Sequence, residues 1–271
     1  MSGLIDVGAT KLYHEVHGGG PALLLITGDT GGADEWAPVV PALAEGLTVV
    51  TYDRRGMSRS PRPDGWTATS MAEQADDAAA LLRALELAPA VVVGHSGGAS
   101  IACSLVERHP ELVRHAVLYE APLLAVVPDG EQVVAGYQAI AERAMAEGGP
   151  RKAMEAFMRA NAGDQVVDEL FASAPPAQVD MVLDNGAVFF PIELPAFAAF
   201  VPDRERMRAS GVPLTVAVGA DNRGNWFGTA SAWLADGTGA ELVELPGGHV
   251  GFLTHPEAFV ELVRRVAGLQ R

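Results

Sequence analysis

Cysteine occurs once in the 271 residues, at Cys103, so no disulfide can form within the chain. No Cys/His cluster has zinc-site spacing either. Lysine is nearly missing: Lys11 and Lys152 are the only two. Positive charge is scarce altogether, with 19 Lys and Arg against 34 Asp and Glu, a net charge of −15. Such an acidic chain repels phosphate backbones and anionic headgroups, so neither nucleic acid nor a membrane is expected as a partner. No run approaches the roughly 20 apolar residues of a bilayer-spanning helix. Met1–Asp6 lacks the basic region and apolar run of a signal peptide, and with a lone cysteine the cytoplasm is the expected compartment. Internal repeats and low-complexity tracts are missing too. What remains is 49% hydrophobic and 20% charged, long enough to bury a large core without a staple.

Short β-branched runs recur at Ala22–Thr27, Leu47–Asp53, Ala90–His95 and Val113–Glu120. Without clean alternation they predict strands buried on both faces, as in a parallel sheet. Lys11–Val16 suits an antiparallel strand at one edge. Ser70–Glu73 has capping-box spacing and opens a predicted helix to about Glu86; a second helix covers Ala99–Arg108, closed by Pro110. From Leu123 to Ser210 no β run occurs. Glu131–Glu147, Arg151–Ala160 and Ala177–Leu183 carry helical periodicity, broken at Gly148-Gly149-Pro150 and Pro175-Pro176. Strand patterns return at Pro213–Val218 and Glu241–Leu245, and Thr254–Glu257 repeats the capping-box spacing before a last helix. The expected organisation is an α/β core of residues 1–122 and 211–271, with a mainly parallel sheet and helices on both faces. Residues 123–210 form an inserted helical cap.

Gly94-His95-Ser96-Gly97-Gly98 fits G-x-S-x-G between a predicted strand and a predicted helix, the context that gives this pattern meaning. A tight turn there presents the Ser96 hydroxyl at a helix N-terminus, where the Gly97 N–H can face developing negative charge. Serine needs a base, and His249, in a glycine-rich loop after the last predicted strand, is free to reach it. The imidazole needs a carboxylate. Asp221, after the preceding strand, gives the chain order Ser, Asp, His; Glu120, at the end of the strand after the serine unit, is the rival.

These residues make the chain resemble the α/β-hydrolase superfamily, over nearly its whole length. The resemblance rests on Gly94–Gly98, on Tyr52–Ser60, which is similar to a D-x-R-G-x-G-x-S stretch, and on Asp221 and His249. Among members it looks most like the small, capped, esterase-like hydrolases of actinobacteria. It implies an eight-stranded sheet with a helical cap, no cofactor, and a Ser96-His249-Asp221 triad; the expected substrate is a small molecule, a carboxylic ester, lactone or thioester with an apolar acyl or alcohol part. Acyl transfer, carbon–carbon bond cleavage, or a non-hydrolytic cyclase or ligand-binding role are the alternatives. The expected assembly is a monomer or homodimer. One departure stands out. Where the family commonly has His-Gly-x-x-G, this chain has Thr27-Gly28-Asp29-Thr30-Gly31, which puts Asp29 at the second oxyanion-hole position beside Gly97. An inward carboxylate would oppose the oxyanion, so Asp29 either points away, binds a substrate donor or has a raised pKa; a carboxylate bonded to its own turn is the favoured expectation.

Residues 123–210 hold five of the eight Met and six of the nine Phe. A thin cap cannot bury all of them, so some should line an apolar pocket over Ser96, with Phe157, Met158 and Phe189 as candidates. Trp36 and Trp226, each in a loop after a predicted strand, are candidates for aromatic walls.

Overall fold

The β-branched runs form the centre of an eight-stranded sheet in the computed structural model, which describes residues 1–269. The strands are β1 (Ser2–Asp6), β2 (Lys11–Gly18), β3 (Ala22–Ile26), β4 (Thr48–Tyr52), β5 (Ala90–His95), β6 (Val113–Tyr119), β7 (Leu214–Gly219) and β8 (Glu241–Leu245). Their order is β1-β2-β4-β3-β5-β6-β7-β8. β2 pairs antiparallel with β1 and β4; every pair from β4 to β8 is parallel. All residues of β3 and β5 are buried, as strands covered on both faces must be. The edge differs from expectation. Lys11–Gly18 is the second strand, and Ser2–Asp6, which lacks a β-branched run beyond Ile5, pairs outside it.

One face of the sheet carries α2 (Met71–Ala84), α3 (Gly97–Arg108) and α10 (Trp226–Thr238). The other carries α1 (Val40–Ala44), α11 (Gly251–Thr254) and α12 (Pro256–Val266), around buried Trp36, Phe252 and Phe259. The Ser70 hydroxyl accepts from the Glu73 N–H at 3.1 Å and caps α2 as its spacing predicts. The Thr254–Glu257 repeat does not behave likewise. His255 is the N-cap of α12, without a side-chain cap bond, and the Thr254 hydroxyl pairs with His255 Nδ1 instead. Pro256 at the first helical position explains this, because its fixed φ starts the helix without a side-chain cap.

Between β6 and β7 the chain is helical and contains no strand. α4 (Gly130–Ala162) is bent at Gly148 and Gly149, which leave helical geometry where the sequence has its Gly-Gly-Pro break. α5 (Asp164–Ser173), α6 (Pro176–Asp184), α7 (Gly186–Val188), α8 (Leu194–Ala199) and α9 (Arg204–Ala209) follow. α9 packs on α3 and α10, against the sheet's own helices. The run Pro176–Ala199, with a mean hydropathy of 1.2, does reach the length and apolarity of a membrane-crossing helix, contrary to the reading above. It is not one straight helix. A π-helical turn over Phe189–Glu193 interrupts it. Its Asn185 and Glu193 are tied to the loop after β4: Asn185 bonds the Ser58 N–H and hydroxyl, and Glu193 pairs with Arg54. Those bonds tie the second part of the run to the loop after β4, while α6 at its start has no buried residue.

Candidate active site

The parallel register decides which loops meet. His95 lies beside Tyr119, Tyr119 beside Ala217, and Gly219 beside Leu245, so the chain leaves β5, β6, β7 and β8 along one sheet end. Ile26 pairs with Gly94, which brings the Thr27–Thr30 loop to the same end.

Ser96 sits at φ 52° and ψ −126°, a conformation that L-residues avoid, on the turn between β5 and α3. The flanking glycines allow it. A Cβ on Gly94 would lie 2.3 Å from the Gly98 carbonyl oxygen, and one on Gly98 would lie 2.2 Å from that of Ile26. Ser96 Oγ lies 3.0 Å from His249 Nε2. Gly97 is the first residue of α3, so its N–H is an orphan donor at the helix end.

The carboxylate against His249 is that of Glu120. Its Oε2 lies 2.6 Å from His249 Nδ1, and the side chain is wholly buried. Glu120, at φ 49°, also accepts from the Gly219 N–H at 2.8 Å and from Asn222 Nδ2 at 3.0 Å. Asp221, the expected partner, does not reach the imidazole. It is exposed in the short turn after β7, its N–H donating to the Gly247 carbonyl oxygen, and its neighbour Asn222 turns inward in its place. Asn222 went unnoticed in the sequence, where an Asn in a turn reads as turn chemistry. Burial raises the Glu120 pKa, but the His249 bond, its charge and the Gly219 and Asn222 donors outweigh this and hold it below the usual carboxylate range. His249 is held below its ordinary value by burial, with the nearby His95 charge adding to the effect against the pull of Glu120.

A second buried His–Glu pair stands behind the first. His95 Nδ1 lies 2.8 Å from Glu35 Oε1, and His95 Nε2 lies 2.8 Å from the His249 carbonyl oxygen. A carbonyl oxygen only accepts, so Nε2 donates, and the proton on the other edge is shared with Glu35. Burial alone would lower the His95 pKa; the Glu35 bond and charge carry it above normal. The His95 and His249 rings are 4.7 Å apart. The Tyr119 hydroxyl secures the same loop, donating to the Gly248 carbonyl oxygen at 2.7 Å.

Asp29 does not bond to its own turn. Its Oδ2 lies 3.4 Å from Ser96 Oγ and its Oδ1 is buried without a partner. A Cβ on Gly97 would lie 2.6 Å from that Oδ1, so the carboxyl stands over the first residue of α3. Burial raises the Asp29 pKa to about 7, with Arg54 opposing and Glu193 assisting. Thr27, at the position usually held by histidine, is buried with an unpartnered hydroxyl.

A cavity of about 410 Å³ opens over Ser96, Asp29 and His249. Phe157 and Met158 line it as expected, joined by Phe171, Met181 and Val182. The other three aromatic candidates do not. Trp36 is fully buried, against Phe252 and Phe259, because its loop folds under the sheet. Phe189 is buried behind Phe157, ring to ring at 4.8 Å. Trp226 stacks on Phe227, and it is Phe227 that stacks on the His249 ring, at 4.3 Å. Among the described residues no three His, Cys, Asp or Glu side chains converge to hold a metal ion.

This sheet, with a serine on the β5–α3 elbow facing a histidine after β8, is matched by the family model described as the alpha/beta hydrolase fold, over residues 21–175. The chain belongs to the α/β-hydrolase family. It is 28% identical over 264 residues to a Bacillus subtilis protein named uncharacterized hydrolase YraK, covering 96% of this chain and 93% of that one. A shorter stretch of 107 residues, 40% of each chain, is 41% identical to the putative carbamate hydrolase RutD of Azorhizobium caulinodans. Among solved structures, the enol-lactonase of Burkholderia xenovorans LB400 superposes with a TM-score of 0.76 at 21% identity, over 98% of this chain and 100% of that one. This α/β-hydrolase therefore shares its fold with relatives that are themselves named hydrolases.

Proposed function

We propose that the protein is a serine hydrolase that cleaves a carboxylic ester, lactone or thioester carrying an apolar group, through Ser96, His249 and Glu120. The observation that carries this reading is the unbroken chain Ser96 Oγ–His249 Nε2 and His249 Nδ1–Glu120 Oε2, at 3.0 and 2.6 Å, at the base of an apolar cavity. Ser96 Oγ attacks the carbonyl carbon as its proton passes to His249 Nε2. The former carbonyl oxygen, now negative, lies at the N-terminus of α3 and accepts from Gly97 N–H. Collapse re-forms the carbonyl and expels the leaving group, which takes the proton from His249. Water, deprotonated by His249, then releases the acid from Ser96. Glu120 keeps the imidazole in the tautomer that accepts on Nε2 and stabilises it once charged. The helical residues 123–210 act as the cap that shapes the apolar site.

The test is turnover of a p-nitrophenyl ester by the wild type and Ser96→Ala, with fluorophosphonate labelling of both. Turnover and labelling that both require Ser96 are expected; near-normal turnover by Ser96→Ala overturns the mechanism. A lactone, a thioester and a carbamate in the same panel assign the substrate class, the carbamate prompted by the relative that bears that name.

A further inference from the structure

The unusual group in this site is a carboxyl placed where negative charge should develop. Asp29 comes from the loop after β3 and reaches over Gly97, with Oδ2 3.4 Å from the nucleophile candidate and Oδ1 buried without a partner. An ionised carboxylate in such a place would have no strong donor of its own and would repel the oxyanion.

The surroundings do not supply a free counter-charge. On the loop after β4, Arg54 gives Nη1 to Glu193 at 2.5 Å, and Nη2 to both Glu193 and the Gly28 carbonyl oxygen at 2.9 Å. Glu193, from the π-helical turn, is thereby spent on Arg54 and on Gln74. On the elbow, His95 is spent on Glu35, which comes from the short helical turn at 33–36 and also accepts from the Thr30 hydroxyl. From α4, the Tyr137 hydroxyl donates to Asn161. The charges that face Asp29 thus cancel in pairs, Arg54 with Glu193 and His95 with Glu35. Nothing is left over to hold Asp29 as an anion.

We propose that Asp29 works as a neutral carboxylic acid that donates a hydrogen bond to the reacting carbonyl oxygen, alongside the Gly97 N–H. This rests on the serine-hydrolase reading above. Asp29 gives up no proton in the step; the Ser96 proton passes to His249. As the Ser96 Oγ–carbon bond forms, the carbonyl π pair moves onto oxygen, and Asp29 O–H and Gly97 N–H both point at it. Carboxylic acids kept neutral in apolar oxyanion sites are a known device. Here the device replaces a liability, because a donor that can ionise switches from stabilising the oxyanion to opposing it.

The sign of the pH dependence follows. The acid form is the working form, so activity is present below the Asp29 titration, near pH 7, and is lost as pH rises through it. The experiment is the pH profile of kcat/KM on a neutral p-nitrophenyl ester for wild type, Asp29→Asn and Asp29→Ala. Wild type should lose roughly tenfold per pH unit on the alkaline side. Asp29→Asn, whose amide donates at every pH, should keep a flat alkaline plateau. Asp29→Ala should lose rate at low pH and show no alkaline limb either. Infrared difference spectra of wild type minus Asp29→Asn supply a readout independent of turnover. The carbonyl band of an unionised carboxylic acid should be present on the acid side and fade on the alkaline side. An alkaline limb that persists in Asp29→Asn, or no acid carbonyl band, overturns the proposal. Loss of the serine reading would look different: turnover would survive in Ser96→Ala, while the infrared band would still report whether Asp29 is protonated.

Discussion

Glu120 and His249 meet through a 2.6 Å contact, with Glu120 wholly buried and His249 nearly so. The backbone N–H of Gly219 and the amide of Asn222 fix the same carboxylate from the next strand end. Glu120→Gln should therefore lower kcat by about 10³ to 10⁴, because the amide no longer fixes the imidazole tautomer or its charge. Asp221→Asn should stay within about twofold of wild type, as expected of a surface change. Steady-state kinetics on one ester for both variants checks this, and a larger loss in Asp221→Asn would reverse the assignment.

That pair also marks where the sequence was readable and where it was not. Strand–elbow–helix context picked out Ser96, and a glycine-rich loop after the last strand picked out His249, because both signals are local. The acid was ambiguous because the ends of β6 and β7 both carry a carboxylate toward the loop of His249, and only the turn after β7, which leaves Asp221 exposed and turns Asn222 inward, decides between them. Asp29 followed from its departure from the family pattern, but the direction of its carboxyl depended on the Arg54–Glu193 and His95–Glu35 pairings, which join residues far apart in the chain. Trp36 and Phe189 were misplaced because large aromatics serve a core and a pocket wall equally well. The β1 edge strand, with only Leu4 and Ile5 apolar among its five residues, gave little hydrophobic signal.

Arg54 and Glu193, 139 residues apart in the chain, form a doubly bonded ion pair with no exposure on either side. Removing one partner leaves the other charged, buried and unpaired. Glu193→Gln or Arg54→Met should each cost about 3–5 kcal/mol in denaturant unfolding, while the double change to Met should recover much of that. A cost below about 1 kcal/mol for each single variant would mean that solvent already reaches the pair.

The cavity wall contributed by α5 and α6 is apolar, with Phe171, Met181 and Val182. Each methylene buried there contributes about 0.8 kcal/mol, so kcat/KM should rise roughly fourfold per added carbon from acetate until the wall is met. A series of straight-chain p-nitrophenyl esters measures this. Phe171→Asp should flatten the rise while leaving acetate turnover largely unchanged, because this residue touches neither Ser96 nor His249. A preference for acetate in the wild type would remove the apolar-substrate reading.

The acid side of the pH profile belongs to His249, which must be neutral to accept the serine proton. Burial, with the His95 charge in support, holds its pKa below the ordinary histidine value, so the acid limb of kcat/KM should lie below pH 6.5. His95→Gln isolates the electrostatic part. Glutamine can still donate to the His249 carbonyl oxygen through its amide, which keeps the loop in register, but the positive charge 4.7 Å from the His249 ring is gone. Removing a nearby cation makes protonation of His249 easier, so the limb should move up. At an effective dielectric near 20 the direct interaction has an upper bound of about 3.5 kcal/mol, which water and the Glu35 counter-charge reduce without changing its sign. Chemical-shift titration of the His249 imidazole protons should report the same direction without turnover. A limb that stays in place, or moves down, would show that His95 positions the loop without setting the basicity of His249.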